Sequence, residues 1–245
     1  MDGPLSPVAF AVACVVVVVG ACVQGTLGFG LGLIAAPVLA FLDPDLVPAP
    51  LLMLALLLTI VVAFRERGAL DWRGLKWAFF GRVPGSILGT IAIVWLPEQW
   101  MLVVFSLMII SGVVLSAAGW RVTPTGGTLF GAGALSGFMG SLTSVGGPPM
   151  ALVYQRHSGA QLRSTLALFF TFGTMLSLAL LAVAGELHVA DVGRAARLLP
   201  AMLVGLVLSR HASRWLDRGY TRTAILVFSG VVALALLVVT VVTWS

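Results

Sequence analysis

Charge is what this sequence has least of. Asp, Glu, Lys and Arg make up 9% of its 245 residues, against about 25% in an ordinary soluble domain, while 60% are hydrophobic. So few ionised groups cannot solvate the surface of a soluble fold, which leaves a polytopic membrane protein. Cysteine is nearly absent too: Cys14 and Cys22 both fall in the first apolar segment. A thiol–disulfide relay of two related halves needs a cysteine in each, so that chemistry is excluded, and the pair reads as small apolar residues on one helix face. His157, His188 and His211 stand in separate loops without mutual spacing, which gives no metal site. No histidine or aspartate lies inside a predicted span to serve Ser141 or Ser144 as a base, so an intramembrane serine hydrolase, and with it an enzyme, is excluded. The formal charge of +5 sits mostly at segment ends, where it orients a membrane protein rather than gripping nucleic acid. No cofactor is implied. The apolar tract at 8–19 follows an acidic start without a small-residue cleavage site, so it reads as a retained segment rather than a signal peptide.

Glycine and proline, by contrast, are concentrated. Residues 133–149, GALSGFMGSLTSVGGPP, carry five glycines, two adjacent prolines and four hydroxyl residues between apolar flanks. A continuous helix is disfavoured there, and broken backbone at membrane depth is tolerated only where protein covers it or a polar cavity needs it. A shift of about 112 positions lays Gly25 on Gly137, Gly28 on Gly140 and Pro37 on Pro149, so CVQGTLGFGLGLIAAP is a second copy. Downstream, Pro84 and Gly89 fall on Pro200 and Gly205, and the Ser-Gly-Val-Val at 111–114 on that at 229–232. The expectation is one membrane domain, 1–245, of two repeats, 1–120 and 128–245, joined by a turn-rich linker at 121–127.

Apolar segments run over 7–24, 28–42, 46–64, 75–96 and 99–119, then 126–142, 146–156, 162–184, 194–210 and 221–244. The first two of each half form a broken or re-entrant hairpin, followed by three crossings. Arg65, Arg67, Arg73 and Lys76 in one loop, and Arg210, Arg214, Arg218 and Arg222 in another, put both loops in the cytoplasm. Counting back, the first hairpin enters and leaves outside, beside Asp43-Pro44-Asp45, and the second inside, between Arg121 and Arg156 with Arg163. The fold class predicted is an all-α membrane protein of two inverted-topology repeats, an architecture that recurs in secondary transporters. Arg194 and Arg197 fall on the outer side, against the charge rule.

A helix that begins inside the membrane offers unpaired N–H groups and about half a positive charge, so two such ends facing each other make an anion site. In the second hairpin the candidate donors are the hydroxyls of Ser141, Thr143 and Ser144 and the backbone of Gly146 and Gly147. Gly137 and Gly140 give close approach, and Pro148 and Pro149 suit the first turn of the restarting helix. Gln24, Gly25, Thr26, Gly28, Gly30 and Pro37 are the counterparts in the first hairpin. Arg82 stands inside the fourth segment, where a cation costs about 2.5–3.5 kcal/mol on insertion scales and calls for a partner. Thr171, Thr174 and Ser177 share a helical face that can line the path. Tyr154 and Gln155 close the second hairpin and can cap the site.

The two motifs QGTLGFGLGLIAAP and SGFMGSLTSVGGPPMALVY, in a chain of this length and layout, resemble the TauE/SafE sulfite exporter family, also called the toluene-sulfonate uptake permease family. The likeness spans nearly the whole chain and is most specific at GFMGSLTSVGGPPM, while the first copy departs from the pattern at Phe29, Leu31 and Ala36. The resemblance implies a multi-pass protein of the bacterial cytoplasmic membrane. Its implied cargo is a small anion, sulfite or an organosulfonate, and its partners are that anion and the lipid bilayer. Import against export, the coupling ion and a homo-oligomer stay open. So do two other readings, a cation or metal-ion carrier and a non-transporting assembly partner.

Overall fold

The computed structural model describes residues 5–66, 70–117, 122–154 and 159–216. Every regular element among them is helical: α1 (Pro7–Leu27), α2 (Leu31–Leu42), α3 (Ala49–Arg65), α4 (Trp72–Trp95), α5 (Glu98–Ala117), α6 (Gly126–Thr143), α7 (Gly147–Tyr154), α8 (Gly159–Ala184) and α9 (Val189–Leu216). A short 3-10 turn, Pro44–Leu46, precedes α3. Among the described residues, α1, α3 with its preceding turn, α4, α8 and α9 give five helices long and apolar enough to cross a membrane. The expected segment 221–244 lies outside the described residues, as do Arg67, Arg121, Gln155, Arg156, His157, Arg218 and Arg222.

Both expected breaks are present. Gly28 ends α1 in a left-handed conformation, φ 87°, and Gly30 at φ 138° leads into α2. The second break turns on Ser144, which adopts φ 61° and donates its N–H to the Gly140 carbonyl. Pro148 and Pro149 then occupy the first turn of α7, where no N–H is needed. The arms are unequal. At 1.5 Å per residue the 21 residues of α1 reach about 31 Å, enough to cross a hydrocarbon core of roughly 30 Å. The 12 residues of α2 reach about 18 Å and the 8 of α7 about 12 Å, so neither crosses.

Backbone-to-backbone packing holds the bundle together. A Cβ on Gly81 or Gly85 of α4 would overlap the carbonyl oxygen of Phe130 or Ala134 on α6, and one on Gly133 would overlap the Ala78 carbonyl. Only glycine permits that approach. The same device joins α1 to α9, where Gly205 abuts the Val18 carbonyl and Gly25 abuts Ser209. Polar side chains such as Gln24, Arg82, Ser86, Ser136, Ser141 and Ser177 are buried, while Phe80, Leu88 and Val183 face outward. That is the distribution hydrocarbon imposes, since an unpaired polar group costs more facing lipid than facing protein. Trp72 and Trp95, both exposed, mark the ends of α4 as interfacial tryptophans do, which leaves Arg82 at hydrocarbon depth.

Polar contacts collect at the two ends of the bundle. At one, the Tyr154 hydroxyl donates to the Asp71 carboxylate at 3.0 Å and the Asp71 N–H to the Thr165 hydroxyl at 3.3 Å. At the other, Arg194, the arginine that strains the charge rule, is met by Asp45 and by Asp191 at 3.0 Å. Arg197 is exposed.

Candidate functional site

The two breaks meet. A Cβ on Gly32 would overlap the Ser144 carbonyl, and one on Gly147 would lie 3.0 Å from the Phe29 Cβ. Between them is a cavity with about 30 Å³ open to the centres of water-sized molecules, room for about two waters. Of the residues nominated from sequence, Gln24, Gly30, Arg82, Gly140, Ser144, Gly146, Gly147, Pro148 and Thr174 line it.

The others stand behind that wall. Gly25 packs on Ser209, Gly28 packs on the Arg163 backbone, and Gly137 packs on the Arg82–Ser86 backbone. The Thr26, Thr143 and Thr171 hydroxyls donate to the carbonyls of Cys22, Met139 and Ala167, each four residues back, and Ser141 pairs with Ser177 at 2.7 Å. Pro37 is buried inside α2 and Pro149 inside α7. Phe29, Gly32, Leu33, Leu52, Ala55, Val145 and Phe170 complete the lining.

Arg82 dominates the electrostatics. Its side chain is enclosed, the residue 1% exposed, and its Nη1 donates to both the carbonyl and the hydroxyl of Ser136 at 2.8 Å each. The Ser136 hydroxyl in turn donates to the Gly146 carbonyl at 2.5 Å, so one serine fixes the guanidinium and ties α6 to the start of α7. The Phe169 ring centroid lies 5.3 Å from Arg82 Cζ, within cation–π range. Glycines make the room: a Cβ on Gly173 would stand 2.5 Å from Nε, one on Gly140 3.0 Å from Nη2, and one on Gly146 3.0 Å from Nη1.

No carboxylate lies within ion-pair distance of Arg82 among the described residues, and its Nε is buried without a hydrogen-bond partner. The N-termini of α2 and α7 add partial positive charge to the same cavity. Gln24 is committed in part: its Oε1 accepts the Leu31 N–H at 2.9 Å, which leaves its amide NH₂ as the group free to donate. The full charge of Arg82 and the two helix N-termini attract negative charge. The face of α4 that carries Arg82 continues through Ser86 and Thr90 at four-residue steps, both with buried hydroxyls that lack partners.

Ser136 escaped nomination although the sequence held a signal for it. The shift that lays Gly25 on Gly137 lays Gln24 on Ser136, and the two do matching work, each bonding across its own break. Gly173 gave no signal, being one glycine in an apolar run. Because a hydrogen bond to a charged group is worth about 1.5–3 kcal/mol, Ser136→Ala is expected to slow solute flux through the protein by about tenfold. Flux measured in proteoliposomes at equal protein density checks this.

The family pattern described as Sulfite exporter TauE/SafE matches residues 12–236 of the chain. A Cupriavidus necator protein named "Probable sulfite/organosulfonate exporter TauE" is 25% identical to it over 207 residues, which cover 78% of this chain and 79% of that one. No solved structure matches the chain.

Proposed function

Given that the chain belongs to the TauE/SafE family of sulfite exporters, membrane transporters rather than enzymes, we propose that it carries small anions, sulfite or organosulfonates, across the bacterial cytoplasmic membrane by alternating access. The observation that carries the reading is the enclosed guanidinium of Arg82, without a carboxylate beside it among the described residues, at the meeting point of two broken helices. An oxyanion seated there would accept from Arg82, from the Gln24 amide and from the backbone N–H groups of Gly146 and Gly147, just ahead of the two prolines, a donor set that suits oxygens pointing in several directions. Gly30, Gly140, Gly146 and Gly147 let it approach the backbone, and Ser144 and Pro148 close the wall. A carrier of cations would need carbonyls or carboxylates where this cavity presents a fixed positive charge.

The two-repeat organisation belongs to the same proposal, with residues 1–120 and 128–245 inverted relative to each other. Reciprocal packing supports it: α4 rests on α6 as α9 rests on α1, while α3 and α8 face each other across the middle. The loop arginines supply the orientation, with the Arg65 end in the cytoplasm. Rocking one hairpin against the other would expose the cavity to each side in turn.

The test is flux of sulfite and of sulfoacetate in proteoliposomes, with and without a pH gradient, against protein-free vesicles. Protein-dependent flux of either anion is expected. A folded protein that moves neither removes the reading.

A further inference from the structure

A second cationic cluster lies outside the cavity, where α3 ends and α8 begins. Arg65 is the last residue of α3, Glu66 caps that helix, and Arg163 stands in the early turns of α8. The Glu66 carboxylate sits between the two guanidiniums: Oε1 is 3.2 Å from Arg65 Nε and 3.4 Å from Arg163 Nε, and Oε2 accepts from Arg163 Nη2 at 3.4 Å. The three side chains are 17% to 24% exposed, covered yet within reach of solvent. Two arginines against one glutamate leave a positive charge over. Each contact is also longer than the about 2.7–2.9 Å of a well-seated charge-assisted bond.

The same Arg65 holds the first hairpin. Its Nη2 donates to the Gly25 carbonyl at 2.7 Å and its Nη1 to the Ser209 hydroxyl at 3.3 Å. Gly28 turns the chain over Arg163, close enough that a Cβ would lie 3.2 Å from the Arg163 Cα. Gln24, one residue before Gly25, lines the Arg82 cavity. The cluster therefore covers the tip of a hairpin whose inner face is the cavity wall.

We propose that Arg65 and Arg163 form a second oxyanion site, the first stop on the way to Arg82 from this end of the molecule, and that Glu66 is its tethered occupant, displaced by an incoming small oxyanion. The inference rests on the anion-carrier reading above. A carboxylate and a small oxyanion offer a guanidinium the same thing, acceptor oxygens at fixed separation, so one can replace the other without leaving either arginine unpaired. Arg65 is bonded to Gly25 at the same time, which couples the exchange to the tip of α1. With no anion present, Glu66 offsets one of the two positive charges and the tip stays tied down.

The experiment is calorimetric titration of the purified full chain with sulfite, using only variants that elute and melt as folded protein. In an Arg82→Met background, Glu66→Gln is expected to bind sulfite about tenfold more tightly than its parent, and Glu66→Ala to do the same. Adding Arg163→Gln is expected to abolish the gain. Equal affinity with and without the Glu66 carboxylate, or a gain that survives loss of Arg163, overturns the second site. Wild-type binding that vanishes with Arg82→Met while Glu66 variants change nothing overturns this proposal alone and leaves the carrier reading standing. Absence of sulfite binding in every variant overturns the second site, and the flux of sulfite and sulfoacetate described above then decides the carrier reading.

Discussion

Exchange of Arg82 for methionine is expected to lower anion flux by about a hundredfold while leaving as much protein in the membrane, or more. The two effects run in opposite directions, which is what separates a binding role from a structural one. Removing one partner of an enclosed ionic contact costs about 3–5 kcal/mol, and about 2.7 kcal/mol is already a factor of one hundred. Insertion, on the other hand, is relieved of the about 2.5–3.5 kcal/mol that a cation costs at the centre of a membrane helix. Methionine also fills much of the volume that Gly140, Gly146 and Gly173 leave around the guanidinium. Lysine at the same position keeps the charge but loses the planar guanidinium, whose other nitrogens stay available to an anion while Nη1 holds Ser136, so flux between those of wild type and Arg82→Met is expected. Proteoliposome flux, paired with quantification of inserted protein, gives both readings. Wild-type flux in Arg82→Met would remove the arginine from the site.

The largest effect on folding is expected from Gly85→Val. A Cβ at this position would overlap the Ala134 carbonyl, and valine adds two further methyl groups to a seam with no space for one. Overpacking of a well-packed interface typically costs about 1–3 kcal/mol, and here backbone rather than a side chain must yield, so α4 and α6 separate and the Arg82–Ser136 contact goes with them. Folded protein recovered from detergent should fall sharply. Gly131→Ala in α6 is the internal control: nothing lies within 4 Å of its Cβ, and helix propensity alone predicts a neutral change or a gain of about 0.5–1 kcal/mol. If both variants were recovered equally, the glycine seam would not be what holds these helices together.

Much of this organisation could be read directly because lipid narrows the choices. Apolar runs must be helices there, and glycine with proline at depth must be a break, so Gly28, Gly30 and the Ser144–Pro149 stretch announced both hairpins. Arg82 was legible for the same reason, as a cation where cations are costly. The rest was hidden by the ambiguity of small residues. Gly140 lines the cavity while Gly137, one turn earlier, is a packing surface, and composition treats them alike. Thr171 and Thr174 differ in the same way: both return their hydroxyls to their own helix, but only Thr174 is turned to the cavity. The apolar walls supplied by Phe29 and Phe170 carry no signature at all, since an aromatic residue in a membrane helix is unremarked until its neighbours are known.

With no acid beside Arg82 among the described residues, the site would carry a charge that the proposed carrier feels as membrane voltage. One elementary charge moved across 100 mV is worth about 2.3 kcal/mol. An empty site carries +1, a site holding a monovalent anion carries zero, and one holding a divalent anion carries −1. In a cell that is negative inside, the empty site is drawn inward, the monovalent complex is indifferent, and the divalent complex is driven outward. Resting potential alone would then bias the cycle toward export, without any coupling ion.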